Sequence, residues 1–227
     1  MSEQRDKNLW IFNAGNSFAG NPKWMFEYII RHHKEIKPVW MCYNADTMNY
    51  VHKLGYEAEL YHSSKGKSVM AKAGVYVVEM CKEVFQPELS GITVLNLWHG
   101  VGCKSIERKV TDGFLQERIA KKYIQNNDIL RNNQLFLVTS EIMEHFKEQC
   151  GIDDDKVIRA GYPRCVVNDN IQSYDHDIRK KKGLSANTKL AIYCPTYRDN
   201  NGANFMKSAL PDMKRLAEVL HENNILL

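Results

Sequence analysis

The sequence predicts an α/β protein built on a parallel sheet, and three observations carry that expectation. Short apolar runs of strand-forming residues alternate with stretches of helical period along most of the chain. Glycines stand where helices should close, at Gly55 and Gly151. Several runs also stop abruptly at loops rich in Gly, His, Arg and Asn, which is how ligand loops look at the carboxyl ends of strands in an open α/β sheet.

Taken in order, Leu9-Trp10-Ile11-Phe12 is the first strand, and Asn13 to Asn21 is a small-residue loop behind it. A helix opens near Pro22 and runs to about His32, with Trp24, Tyr28 and Ile29 expected on its inner face. Pro38 to Cys42 is a second strand, followed by a helix from Asp46 to Leu54. Ala58 to Tyr61 and Val75 to Val78 are strands on either side of a helix carrying Val69, Met70 and Ala71. Thr93 to Leu97 is the next strand. Phe114 to about Ile124 is an amphipathic helix with Leu115, Ile119 and Tyr123 on one face and Arg118, Lys121 and Lys122 around it. Such a helix suits anionic lipid headgroups, and equally a solvated helix packed on its own domain. Gln134 to Thr139 is a strand, and Ser140 caps a helix whose inner face includes Ile142, Met143 and Phe146. Asp153-Asp154-Asp155 resembles a metal-binding D-x-D, but its place in a turn ahead of a strand beginning at Lys156 reads as a polar connector. The polar stretch from Asn168 to Lys182, closed by Gly183, marks a domain boundary. Lys189 to Tyr193 then opens a new sheet, Pro211 starts a helix to about Asn223, and Ile225-Leu226-Leu227 begins another strand.

Composition sets limits on function. At 227 residues and 44% hydrophobic the chain can bury one full domain and part of a second. A net charge of +4 is too mild to call for nucleic acid, yet it suits an anionic substrate or membrane surface. The six cysteines form no C-x-x-C pair, and the first residues lack a signal-peptide core, so a reducing cytosol is expected. No run reaches the length needed to span a bilayer. His32, His33, His52 and His62 lack metal-ligand spacing, and no metal site is expected.

The chemistry concentrates at Trp98-His99-Gly100-Val101-Gly102-Cys103-Lys104. His99 would stand at the mouth of the crevice, the two glycines would let the backbone turn and approach a ligand, and Lys104 would add positive charge. A histidine after a buried strand can also serve only the fold. Gly15 and Asn16 lie in a loop that could line a site or merely turn. Arg164 ends the turn Gly161-Tyr162-Pro163-Arg164. Thr196 and Arg198, after Pro195, are apt phosphate ligands by hydroxyl and by planar fork.

Four of these segments together carry a resemblance. Asn13-Ala14-Gly15-Asn16-Ser17-Phe18 with Asn21-Pro22-Lys23, then Trp98-His99-Gly100 with Lys104, then Gly161-Tyr162-Pro163-Arg164, then Tyr193-Cys194-Pro195-Thr196-Tyr197-Arg198-Asp199 stand in an order and spacing that resembles the CDP-glycerol glycerophosphotransferases of teichoic acid and capsule synthesis. The resemblance implies a glycosyltransferase-B-like fold of two Rossmann-like halves. Residues 1–165 would form the complete first, acceptor-side half; 166–227 would be a linker and the truncated opening of the donor-binding half. It implies transfer of glycerol phosphate from CDP-glycerol to a hydroxyl of a lipid-linked polyprenyl-diphosphate glycan or polyol-phosphate acceptor, with release of CMP. The general base would be His99. Trp98, Gly100, Val101, Gly102 and Lys104, with Pro195 and Thr196, would bind donor; Arg164 and Arg198 would contact phosphate; Gly15 and Asn16 would lie on the acceptor side. CDP-glycerol is then a co-substrate, no cofactor or metal is needed, and the protein would be cytoplasmic, peripheral at the inner membrane face. Two alternatives stay open: a nucleotide-sugar glycosyltransferase sharing the fold, and a non-catalytic half that binds acceptor or partner.

The family pattern continues with a second histidine before a proline and a later Asp-Tyr-Ser-Ser-like segment that completes the donor pocket, and neither falls within residues 1–227. This chain alone is therefore expected to bind CDP-glycerol weakly or not at all, with residues from about Asn200 onward mobile or docked on the first domain. Calorimetric titration checks the binding expectation, and low-micromolar affinity would overturn it.

Overall fold

A computed structural model describes residues 4–81, 85–100, 105–139, 143–165, 178–195 and 205–227, without the side chains of Phe114, Phe205 and Met206. Contacts divide the chain into two compact units, Met1–Asn168 and Asp169–Leu227.

The first unit is a seven-stranded sheet of β1 (Asp6–Asn13), β2 (Lys37–Cys42), β3 (Ala58–Leu60), β4 (Ala73–Val78), β5 (Thr93–Asn96), β6 (Gln134–Val138) and β7 (Val157–Arg159). All neighbours run parallel, in the order β3-β2-β1-β4-β5-β6-β7. The chain thus winds outward from β1 to β3, returns to the other side of β1, and winds outward again to β7. Loops leaving β1 and β4 diverge at that reversal and open a crevice at the carboxyl edge.

The inner strands are buried on both faces toward their carboxyl ends, which is why Ile11-Phe12, Trp40-Met41, Val77-Val78 and Val94-Leu95 are apolar. One face packs Phe12, Trp40, Val77 and Leu95 beneath α1 (Gly20–His32), α2 (Ala45–Lys53) and α5 (Met143–Cys150). The other packs Ile11, Met41, Tyr76 and Val94 with α3 (Ser64–Lys72) and a π-helical turn over Asp128–Asn133 that follows α4 (Phe114–Gln125). Neighbours along a strand belong to opposite cores, as the pleat requires. At the amino edge the Arg5 guanidinium donates to the carbonyls of Met70, Ala73, Glu88 and Ser90, closing the end of α3 against the turn before β5.

The ends of the elements follow local chemistry. Asn44 accepts from Thr47 N at 2.8 Å to cap α2, and Ser63 accepts from Gly66 N at 2.9 Å to cap α3. Gly55 and Gly151 close α2 and α5 with φ of 81° and 63°, as their positions predict. Asp154–Lys156 is a single 3₁₀ turn, in keeping with a connector. Ser140 and Ile142, expected to start α5, lie outside the described residues.

Two expectations need correction. In α1 the buried face is Asn21, Pro22, Phe26 and Ile29, while Tyr28 is 47% exposed. The helix begins two residues before Pro22, and its first turn is pinned at Asn21, so the face fixed by that contact, not the one holding the most aromatic area, turns inward. Pro22 is tolerated because a first-turn N–H has no helical partner. In the second unit, β8 is only Lys189–Leu190, and Ile192 and Tyr193 are exposed. β8 pairs in parallel with β9 (Ile225–Leu226) alone, so a run that needs neighbours on both sides to stay extended stops early.

That second unit also holds α6 (Ile178–Lys181), closed by Gly183 at φ 65°, α7 (Phe205–Ala209) and α8 (Met213–Glu222). Asp212, not Pro211, caps α8 by accepting from Arg215 N at 2.8 Å.

Phe26 is fully buried against Phe12, Phe18, Trp40 and Tyr56. Phe26→Ala should lower unfolding free energy by about 3–5 kcal/mol in urea titration. Tyr28→Ala should stay within about 0.5 kcal/mol. A loss at Tyr28 as large as that at Phe26 would overturn the assignment of the inner face.

Candidate functional site

The site is built where β5 ends. The ladder continues one residue past the strand, with Leu97 N donating to Val78 O at 2.8 Å. Asn96, 3% exposed, then turns the chain: its Oδ1 accepts from Trp98 N at 3.0 Å and its Nδ2 donates to Gln134 Oε1 at 3.1 Å. Trp98 adopts a left-handed φ of 52°, a conformation a bulky residue holds only when its surroundings enforce it. The enforcement is visible. The indole is 2% exposed and packs on Phe136 and Phe146 at ring separations of 5.7 and 5.4 Å. The same turn delivers the next residue to the surface, so the exposed His99 ring stacks on the buried indole at 4.5 Å and 24°.

Two other segments lock this turn. Asn21, in the first turn of α1 and fully buried, donates through Nδ2 to Trp98 O at 2.6 Å and to Leu97 O at 3.5 Å. Its Oδ1 accepts from Arg164 N at 3.2 Å, which binds the Gly161–Cys165 turn to the same amide. Arg164 then reaches back, donating from Nη2 to His99 O at 2.6 Å. Gly100 has φ 142°, and a Cβ there would meet that guanidinium at 2.8 Å, so glycine is needed both for conformation and for space.

The chain is gripped again beyond the loop. Ile106 N donates to Oε1 of the fully buried Gln149 at 2.6 Å, and Glu107 pairs with Lys122 of α4 at 2.8 Å in a largely buried ion pair. Burial pushes the neighbouring thiols of Cys81 and Cys150 up to about 12, so both are neutral near pH 7 and neither is a nucleophile there.

At the β1/β4 reversal lies a cavity of about 160 Å³, lined by Asn13 to Asn16, Tyr43, Tyr61, Tyr76 and Glu79 among others. The loop after β1 is well tied. Asn13 donates to Met41 O and accepts from Gly15 N; Thr47 donates to Asn16 O at 2.8 Å; Phe18 plugs into the core against Trp40 at 4.6 Å. The start of α1 is already occupied by a carboxylate, Glu79 Oε1, which accepts from Asn21 N at 3.3 Å. A helix start that holds a carboxylate is not a vacant phosphate cradle.

Of the residues expected to form the site, His99, Trp98, Gly100 and Arg164 meet at one point, while Gly15 and Asn16 line the cavity at the β1/β4 reversal. Trp98 enters as the core platform under His99, with its N–H bonded to Asn96 and its carbonyl to Asn21. Pro195 is exposed in the second unit. Val101, Gly102, Lys104, Thr196 and Arg198 lie outside the described residues. The reading of single motifs assigned no role to Asn21, Glu79 or Asn96, although Asn21 stands beside Pro22 at a helix start, where a side chain often serves a neighbouring backbone. Among the described residues no three His, Cys, Asp or Glu groups converge as metal ligands. Asp154 is instead paired with Lys147 at 2.6 Å, which holds its carboxyl below the usual range. On α4 Lys122 is committed to Glu107, leaving Arg118 and Lys121 exposed. No helix among the described residues is long and apolar enough to cross a membrane.

The family described as CDP-glycerol:poly(glycerophosphate) glycerophosphotransferase matches residues 1–227. The chain belongs to that family. A teichoic acid poly(glycerol phosphate) polymerase of Bacillus subtilis is 25% identical over 197 residues, covering 82% of this chain and 25% of that protein. One of Staphylococcus epidermidis is 23% identical over 192 residues, covering 82% and 26%. The chain therefore spans about a quarter of the length of these relatives, and about half (52%) of a Bacillus spizizenii polymerase. A solved structure of the wall teichoic acid polymerase TagF superposes with a TM-score of 0.74 at 20% identity, over 98% of this chain and 56% of that one. The fold is thus α/β and glycosyltransferase-B-like, as the motifs imply.

If Asn21 sets the turn at His99, Asn21→Asp should lose the two donated bonds and face carbonyls with a carboxylate, costing about 1–3 kcal/mol. Hydrogen exchange should quicken at Leu97 to Gly100 by tenfold or more while β2 and β3 stay protected. Uniform loss of protection across the sheet would make Asn21 a general stability residue instead.

Proposed function

We propose that this chain supplies the acceptor-side half and the general base of a glycerophosphotransferase that moves glycerol phosphate from CDP-glycerol to a hydroxyl of a lipid-linked teichoic acid acceptor, releasing CMP. Family membership supports the reaction class, and one structural observation supports the role of the residue. His99 is an exposed imidazole at the carboxyl edge of β5, stacked on a buried indole, with its own backbone held by Arg164.

The chemistry runs as follows. An alcohol is a poor nucleophile near neutral pH, and a histidine, with an ordinary value of about 6.5, can take its proton as bonding proceeds. The acceptor oxygen attacks the phosphorus that carries glycerol. The bond from that phosphorus to the bridging oxygen breaks, and its electron pair leaves with CMP. Negative charge grows on the phosphoryl oxygens and on CMP, where the exposed Arg164 guanidinium can stabilise it. Stacking fixes the plane of the His99 ring, and a fixed base is in place before the substrate arrives.

In this reading residues 1–165 form the acceptor-side domain and 166–227 the start of the donor-binding one. Val101, Gly102 and Lys104, with Pro195, Thr196 and Arg198, would grip the donor, and Gly15 and Asn16 would flank the acceptor. A lipid-linked acceptor would bring the reaction to the inner membrane face, where Arg118 and Lys121 are cations available to headgroups.

In the active polypeptide that carries this chain, His99→Ala should cut CMP release from CDP-glycerol by about a hundredfold or more, with an unchanged melting temperature. Near-wild-type release, or a melting loss that precedes the loss of turnover, would sink the base assignment. Turnover with UDP-sugars in place of CDP-glycerol would move the chain to nucleotide-sugar chemistry.

A further inference from the structure

The cavity at the β1/β4 reversal has a chemistry of its own. Its walls hold three tyrosines, each from the carboxyl side of a different part of the sheet: Tyr43 follows β2, Tyr61 follows β3, and Tyr76 lies within β4. The Tyr43 and Tyr61 rings are 4.9 Å apart at 46°, and Tyr76 and Tyr43 are hydrogen-bonded. Glu79 supplies a carboxylate, and the backbone of Gly15 and Asn16 closes one side. None of the described lining residues is Lys or Arg. About 160 Å³ is room for on the order of ten waters, the scale of a three-carbon polyol or one sugar ring.

These features select a ligand class. Phenolic hydroxyls both donate and accept, and a carboxylate accepts from several hydroxyls at once. Ring faces pack against the C–H surface of a polyol or sugar. An anion would meet the Glu79 carboxylate without a described cation to offset it, at a helix start already spent on that carboxylate. The cavity connects to the candidate base through two residues, since Glu79 binds the Asn21 backbone and the Asn21 side chain holds the carbonyl of Trp98, which precedes His99.

We propose that this cavity is a subsite for a neutral polyhydroxylated unit, a linear polyol or a sugar ring, and that it seats a hydroxyl-bearing part of the acceptor. The assignment to the acceptor rests on the transfer reading above; the ligand class rests on the cavity alone. In this arrangement Tyr43, Tyr61 and Glu79 recognise hydroxyls, and phosphate charge is handled elsewhere.

The test is a titration of the 227-residue chain, with tyrosine ring signals observed by NMR, against glycerol, N-acetylglucosamine and inorganic phosphate in parallel. Glycerol or N-acetylglucosamine should shift the Tyr43 and Tyr61 rings, and which of the two binds tighter distinguishes a polyol from a sugar ring. Phosphate should leave both unmoved. Tyr43→Phe and Tyr61→Phe remove one oxygen each from a retained ring, and each should weaken the preferred probe at least fivefold. Glu79→Gln keeps an acceptor for Asn21 N and guards against loss of fold; it should weaken the neutral probe and leave phosphate unbound. Phosphate shifting the same rings, and doing so more strongly in Glu79→Gln, would overturn the proposal. So would silence from both neutral probes at 100-millimolar concentration (about the range in which weak single-unit binding is read), or binding that ignores all three variants. Because no turnover is measured, a failed transfer assay with intact probe binding would remove the acceptor role and leave the subsite. Intact transfer without probe binding would remove the subsite and leave the transfer reading standing.

Discussion

One buried amide, Asn21, joins three segments that are far apart along the chain, and the placement of His99 depends on it. Its donor side holds the carbonyls of Leu97 and Trp98, and its acceptor side holds Arg164 N, 143 positions away. A fully buried amide left without partners costs more than its bonds contribute when paired, which favours ordering the three segments together. The left-handed Trp98 is the strain this arrangement sustains, and the stacked, exposed His99 is what the strain achieves.

Charge is laid out around that amide in a consistent way. Glu79 occupies the start of α1, where the helix dipole favours a carboxylate, and so turns the adjacent cavity away from anions. Among the described residues the exposed Arg164 brings a cation to the turn by donating to His99 O. Behind the turn the Glu107–Lys122 pair and the Asn96–Gln134 bond anchor both ends of the loop to α4 and β6. Because each charge in that buried pair is compensated by the other, the pair serves as a register for the loop more than as a source of stability.

Much of the fold was legible because its causes are local. Burial on both faces makes the inner strands apolar runs, and a helix that must close by a left-handed turn needs glycine, so Gly55 and Gly151 could be read directly. The inner face of α1 was misread because Tyr28 and Trp24 offered more apolar area, yet Asn21 fixed the rotation of the helix. The strand from Lys189 was drawn too long because propensity does not say how many neighbours a strand will have. At the site, His99 was legible as an abrupt end to an apolar run, whereas Glu79 gave no signal, since a lone carboxylate after a strand resembles any surface residue.

The sequence by itself determined the order of the elements, the parallel sheet, the family, and the three loops from which the site is made, because periodicity, glycine placement and motif spacing are properties of neighbouring residues. Only the tertiary structure decided which atoms meet: the Asn21 amide against the Trp98 carbonyl, the Arg164 fork on His99 O, the Glu79 carboxylate on α1, and three tyrosines around one cavity. The reason is that hydrogen bonds between distant segments leave no periodic trace in the chain, and are selected only when packing has already brought their donors and acceptors within about 3 Å of each other.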